Sequence, residues 1–413
     1  MSEGPFPSVA EVTRLTLLLP IAVVLSALAA VAGVWRAARS KGIERFLIPY
    51  VRSARSRVPP RPGQPLHVLI CVADHYEPGF GGADDALAAQ RVERWARQYP
   101  QQFGRFRDGD GRTPRHTFFY PPEHYTPQYL DRLTELCRDG FGEVEIHLHH
   151  HGDTADTLRD KLVTFRDTLA DRHSLLARDK ATGRIKWGFV HGDWALDNSR
   201  PDGRCCGVNN ELTVLRETGC YADFTFPSAP HPTQPRKINS IYYAVDDPLR
   251  PRSHDTGVDV GTAPMPADGF MLIQGPLLFD WGRRKFGLVP RIENGYLQRG
   301  QEPSPRRLDL WLRAGVKVPT RPDWLFVKLH CHGATEWHSE VLLGESMVGL
   351  HEELARRAAA DPNFHFHYVT AREIYNLARA AEAGWTGPVV QALDFELEWN
   401  GAASSARQVT PAA

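Results

Sequence analysis

Between Leu66 and Gly384 short apolar runs alternate with stretches of helical period, and this alternation restricts the chain to an α/β fold built on a parallel sheet. HVLICVAD, TFFYPP, EVEIHLH, IKWGFVHG, YADFTFPS, GFMLIQGPL, DWLFVKLHCHG and FHFHYVT read as strands. ALAAQRVERWARQYPQQF, PQYLDRLTELCRDG, TLRDKLVTFRDTLADRHSLLARD, NNELTVLRETG, MVGLHEELARRAAAD and AREIYNLARAAEAG read as helices between and after them. Seven or eight such units predict a barrel with its working end at the carboxyl ends of the strands. Hydrophobic residues at 42% and aromatic residues at 10% supply a sizeable core.

Residues 15–35, LTLLLPIAVVLSALAAVAGVW, carry no charge and meet the roughly 20-residue length of a spanning helix. No small-x-small cleavage site follows, which argues for an uncleaved transmembrane anchor over a signal peptide. Arg36, Arg39, Lys41, Arg45, Arg52, Arg55, Arg57 and Arg61 follow the segment, whereas Arg14 alone precedes it. The positive-inside rule then predicts a single-pass protein of the plasma (inner) membrane with its main domain cytoplasmic. The arginine cluster is expected to lie against anionic headgroups.

The chain divides into a tail (1–14), the transmembrane helix (15–35), a basic Pro-rich connector (36–64), one large domain (65–385) and a C-terminal extension (386–413) whose end reads as disordered. Lys+Arg and Asp+Glu are both 49, and this balance argues against a nucleic-acid partner. Cysteines stand at 71, 137, 205, 206, 220 and 331, and none forms a Cys-x-x-Cys pair. A zinc ribbon and a thioredoxin motif are therefore excluded. The sequence also lacks a P-loop, a dinucleotide-binding glycine motif and a nucleophile elbow.

Histidine carries the chemical signal. EIHLHHHGDT places His147, His149, His150, His151 and Asp153 at the end of a strand. Imidazoles completed by a carboxylate suit zinc and neighbouring divalent ions. Strand alternation puts His147 and His149 on one face, and the following turn can bring Asp153 or His151 to the same ion. In VLICVADHYEP, Asp74 and His75 end the first strand, with Glu77 two residues on. A carboxylate there suits a general base or a ligand. In LFVKLHCHG, His330 and His332 share a face, as a general acid or further ligands. In GFVHGDW, His191, Asp193 and Trp194 are placed to orient ligands or line a substrate groove.

Taken in order, these pieces resemble the polysaccharide deacetylase (NodB-homology) superfamily over roughly residues 66–380. VADHYEP matches its first motif, with His75 where the family has a second aspartate. EIHLHHHGD matches its second, with His149 and Asp153 in register, or His147 and His151 in an alternative one. The third motif's arginine and proline are absent at FVHGDW, and Leu329-His330 matches the late Leu-His motif. The resemblance implies a distorted seven-stranded (β/α) barrel. It also implies Asp74 as base, His330 as acid, and His75, His149 and Asp153 around a divalent ion, zinc foremost, with cobalt or nickel as alternatives. The substrate would be an acetylated glycan or a lipid-linked sugar. Two other readings are an amidohydrolase- or phosphoesterase-type metallohydrolase, and an inactive glycan-binding scaffold.

Overall fold

The computed structural model describes residues 9–55, 57, 63–399 and 401, with side-chain surroundings from residue 22 onward. Helix α1 (Val9–Ser40) contains the apolar segment. Its stretch Ala22–Ser40 is long and apolar enough to cross a membrane, a test that a signal sequence also passes, and none of it is buried in the protein.

The connector is more ordered than its composition predicts. Helix α2 (Ile43–Arg52) lies within it, and Phe46 packs on Ala229 and Leu277. Tyr50 meets Phe279 edge-on at 4.8 Å, and its hydroxyl accepts the Phe279 N–H at 3.2 Å. Arg45 pairs with Asp255. The apolar spacing Ile43, Phe46, Leu47, Tyr50 is helical, but arginines mask it in a composition reading.

The nine longest strands of the twelve-stranded main sheet are β1 (Leu66–His75), β2 (His116–Tyr120), β3 (Gly142–Leu148), β4 (Ile185–His191), β5 (Cys220–Asp223), β6 (Ile241–Val245), β7 (Gly269–Ile273), β8 (Trp324–Cys331) and β9 (Phe364–Tyr368). One edge of β1 pairs with β8, and its other edge is shared by β9 and β2. The parallel order runs on through β3, β4, β5 and β7; β6 follows in antiparallel sense, and Val258–Asp259 pairs antiparallel beyond it. Lys328 Nζ of β8 donates to the Phe224 and Phe226 carbonyls, tying β8 to the segment after β5. The helices are α3 (Asp85–Phe103), α4 (Pro127–Leu136), α5 (Ala155–Asp167), α6 (Glu211–Glu217), α7 (Pro305–Ala314), α8 (Glu336–Leu342), α9 (Glu345–Ala360) and α10 (Ala371–Glu382). All six helical stretches expected in the large domain form, but the third stops at Arg172 and its expected end, Ala177–Asp179, is a strand; β6, α7, α8 and a hairpin over 278–293 lie outside the expected elements.

Both faces of β1 are buried, as a continuous apolar run requires. Val68, Ile70 and Val72 pack with Trp95 and Tyr99 of α3. Leu69, Cys71 and Ala73 pack with Phe119, Val190 and Phe224 in the other layer. On β3, Val144, Ile146 and Leu148 belong to the first layer. Alternation turns Glu143, Glu145 and His147 the other way.

Glu145 is buried there and accepts from Gly188 N–H and Tyr221 O–H, both at 2.5 Å. Burial pushes its pKa from 4.5 up to about 8. The folded state therefore holds a proton that the unfolded chain has released. The associated stability is complete below pH 4.5 and is lost as pH rises through about 8. Between those limits this one group lowers stability by up to about 1.4 kcal/mol per pH unit. Denaturant melts across that range should show the slope in the wild type and a flatter profile in Glu145→Gln.

The segment after α10 belongs to the domain up to Leu397. Leu393 and Leu397 are buried, and Leu397–Glu398 pairs antiparallel with Arg178–Asp179. The tail read as disordered lies, beyond Gly401, outside the described residues.

Candidate metal centre

Alternation determines which side chains meet at the carboxyl ends of the strands. His75 follows Ala73 onto the inner face of the sheet, and His147 follows Glu145. Their rings meet edge-on with centroids 4.8 Å apart. His332, just beyond β8, lies 4.7 Å from His75. His149 lies 4.5 Å from His147. Glu77 reaches the group from the turn after β1, with Oε1 3.3 Å from His147 Nε2 and 3.1 Å from His149 Nε2. Glu77, His147 and His149 each offer a ligand atom, all within 4.8 Å of one another.

Hydrogen bonding sets the tautomers. His147 Nδ1 lies 2.8 Å from the Val190 carbonyl, an acceptor only, so Nδ1 carries the proton and Nε2 turns its lone pair to Glu77. His149 Nδ1 lies 2.6 Å from Glu123 Oε1, which likewise leaves Nε2 facing Glu77. Two imidazole lone pairs and a carboxylate thus converge on one point, an arrangement only a cation or extra protons can satisfy. Val190 and Glu123 are the outer partners that metal-bound histidines require. Burial raises the Glu77 pKa, but the facing imidazoles of His147, His332 and His149 outweigh it and hold the carboxyl at about 2. Burial and the neighbouring imidazoles keep His75 well below its ordinary range. His149 is 36% exposed, so the group is open on one side, as a catalytic rather than a structural metal site is. Gly192 makes room for it: a Cβ there would lie 2.3 Å from His149 Cδ2.

The late strand contributes a polar chain. Tyr296 O–H bridges His332 Nδ1 at 3.1 Å and His338 Nε2 at 2.8 Å, and Thr335 Oγ1 lies 2.7 Å from His338 Nδ1. His330 is buried beneath Tyr296, with stacked rings 4.9 Å apart. Burial, then the Lys328 charge, holds its pKa well below the ordinary imidazole range. His332 rather than His330 faces the centre, 4.7 Å from His75, and burial lowers its pKa as well. Trp194 reaches the same rim, 6.4 Å from His332, while Asp193 is exposed.

Four expected assignments do not assemble here. Asp74 faces the helical layer: Oδ2 meets His116 Nε2 at 2.8 Å, and Oδ1 accepts Gly333 N–H at 2.5 Å. Because it alternates with His75, its carboxylate is held by His116 and Gly333 rather than among the Glu77, His147 and His149 ligand atoms. Asp153 turns to Lys161, 2.7 Å away, and to His150 Nδ1 at 3.1 Å, so the His149–Asp153 register does not form. His151 is exposed and accepts Cys205 N–H at 3.0 Å, which leaves the His147–His151 register unformed as well. His191, expected at the substrate groove, points with His150 to Glu211 on the opposite side of the strand ends.

Glu123 and Tyr296 were not anticipated. PPEHY places a carboxylate at the carboxyl end of β2, which is the signal that could have found Glu123. Tyr296 lies outside regular structure and carries no comparable signal. No protein-family model matches this sequence, and no curated protein matches it.

Proposed function

We propose that the chain is a membrane-anchored, metal-dependent hydrolase that removes acetyl groups, N-acetyl in particular, from a sugar of a polysaccharide or lipid-linked glycan precursor. The observation that carries this reading is the open Glu77–His147–His149 group, two imidazoles and a carboxylate, at the carboxyl ends of parallel strands. We read the sheet as the distorted seven-stranded barrel implied by the deacetylase resemblance, with Glu77 in the role of the first-motif carboxylate. A divalent ion held by these three residues, zinc foremost, supplies a Lewis acid for the amide carbonyl and an acidified water. His75 and Glu123 fix the ligands around it. His332 exchanges a proton at its ring, and Tyr296 and His338 relay that proton through the 3.1 Å and 2.8 Å contacts. Trp194 offers a face for a sugar ring. The basic flank after α1 supports a cytoplasmic position for the domain at a plasma membrane.

The test is acetate release by the full chain in detergent micelles, on N-acetylated and O-acetylated sugar oligomers. Release should vanish on metal stripping and return with zinc or cobalt. Full metal occupancy with no release from either class would refute the proposal, and phosphate release from sugar phosphates would point to a phosphoesterase.

A further inference from the structure

On the opposite side of the β3 and β4 ends lies a second group that the hydrolytic reading does not use. His150 follows β3, His191 ends β4, Cys206 sits in the loop after it, and Glu211 opens α6. All four are buried, and each offers a ligand atom within 4.8 Å of the others. We propose that His150, His191, Cys206 and Glu211 form a structural zinc site, closed to solvent, that pins the 193–210 loop to the strand ends.

Four observations converge on this. His191 Nδ1 lies 2.5 Å from the Gly192 carbonyl, so its lone pair is on Nε2. That Nε2 is fully buried, lies 3.4 Å from Glu211 Oε1 and has no hydrogen-bond partner among the described residues. His150 Nε2 faces the same oxygen at 3.2 Å, and its buried Nδ1, 3.1 Å from Asp153 Oδ2, makes no hydrogen bond among the described residues. Cys206 Sγ receives two backbone N–H groups, from Asn198 at 3.3 Å and Val208 at 3.4 Å, an environment suited to a thiolate. Its S–H donates to Glu211 Oε2 at 3.3 Å, a contact whose proton a zinc ion would replace. Zinc with two neutral imidazoles, one thiolate and one carboxylate carries no net charge, so the assembly can be buried without an unpaired ion.

The loop needs such an anchor. Asp193, Trp194, Asp197, Asn198 and Cys205 all have positive φ, and no regular helix or strand holds residues 195–210. Structural zinc sites are four-coordinate and closed, whereas the Glu77 group is open. The two sites are therefore expected to differ in lability.

The experiment uses the full chain in detergent. Elemental analysis should find two zinc equivalents in the wild type, one of them exchanging slowly with chelator. Cys206→Ser should retain one equivalent and gain protease cleavage within 193–210. Cys205→Ser should retain both. His147→Ala should lose the other equivalent. Cobalt-substituted wild type should show thiolate-to-cobalt charge-transfer absorption that survives His147→Ala and is absent from Cys206→Ser. The cobalt spectrum of the wild type tests the site even where Cys206→Ser fails to fold. A wild type without thiolate–cobalt absorption, or with a metal content that Cys206→Ser leaves unchanged, would overturn the proposal. Loss of acetate release alone would not bear on it.

Discussion

Glu77→Gln should cut acetate release by more than about 100-fold, beyond what loss of an outer partner usually costs. It should also release the metal bound at the open group. The carboxylate is the one anion facing both His147 Nε2 and His149 Nε2, and an amide cannot neutralise an ion there. The fold should survive, because Glu77 lies in the turn after β1 rather than in its ladder. Metal content, turnover and circular dichroism on one preparation separate these effects. Asp74→Ala is the informative contrast. It strips an acceptor from the buried Gly333 N–H and from His116, a loss of about 1–3 kcal/mol of stability. It should leave the bound metal in place. An Asp74 variant that folds fully, keeps its metal and loses all turnover would contradict the assignment of Asp74 to the helical layer.

The largest stability effect is expected at Arg372. Its guanidinium is buried at the start of α10 and pairs with Glu143 of β3 at 2.8 Å. The same side chain donates to the Leu393 and Leu397 carbonyls, at 3.2 Å and 2.9 Å. Arg372→Met leaves Glu143 buried and unpaired, which costs about 3–5 kcal/mol. The 393–398 segment should loosen with it, and hydrogen exchange of that segment reports the loss directly. In urea the midpoint should fall with little change of slope. Adding Glu143→Leu should recover part of the loss, because it removes the orphaned charge. A single variant as stable as the wild type would show that the ion pair contributes nothing net.

Periodicity made the architecture legible, while contacts distant in sequence decided the site. Strand ends, the histidine cluster and the helices from α3 to α10 announce themselves locally, α7 and α8 excepted. The sharing of a face by His147 and His149 follows from alternation alone. The same rule, applied to Asp74 and His75, separates them, yet a motif resemblance treats the pair as one unit. Asp153 stands near His149 in sequence but is captured by Lys161 and His150, about two turns into α5 and just after β3. The Glu123 contact joins β2 to β3, and Cys206 reaches Glu211 across a loop without period. No local pattern encodes either meeting.

The docking of α2 gives the protein a fixed reach. A flexible tether over residues 36–64 would let a catalytic end wander about 30 Å from its anchor. Instead, only Lys41 and Gly42 separate α1 from α2, and Phe46, Tyr50 and Arg45 clamp α2 to the domain. Gly42 is packed so closely on His231 that a Cβ would lie 2.6 Å from its carbonyl oxygen. His231 in turn meets Trp194 at 5.4 Å. With α1 in a bilayer, the end of that helix and the rim of the centre are two contacts apart. Under the proposed function the protein would then work as a gauge, accepting sugars held at one height above the lipid surface and sparing longer chains that extend past it.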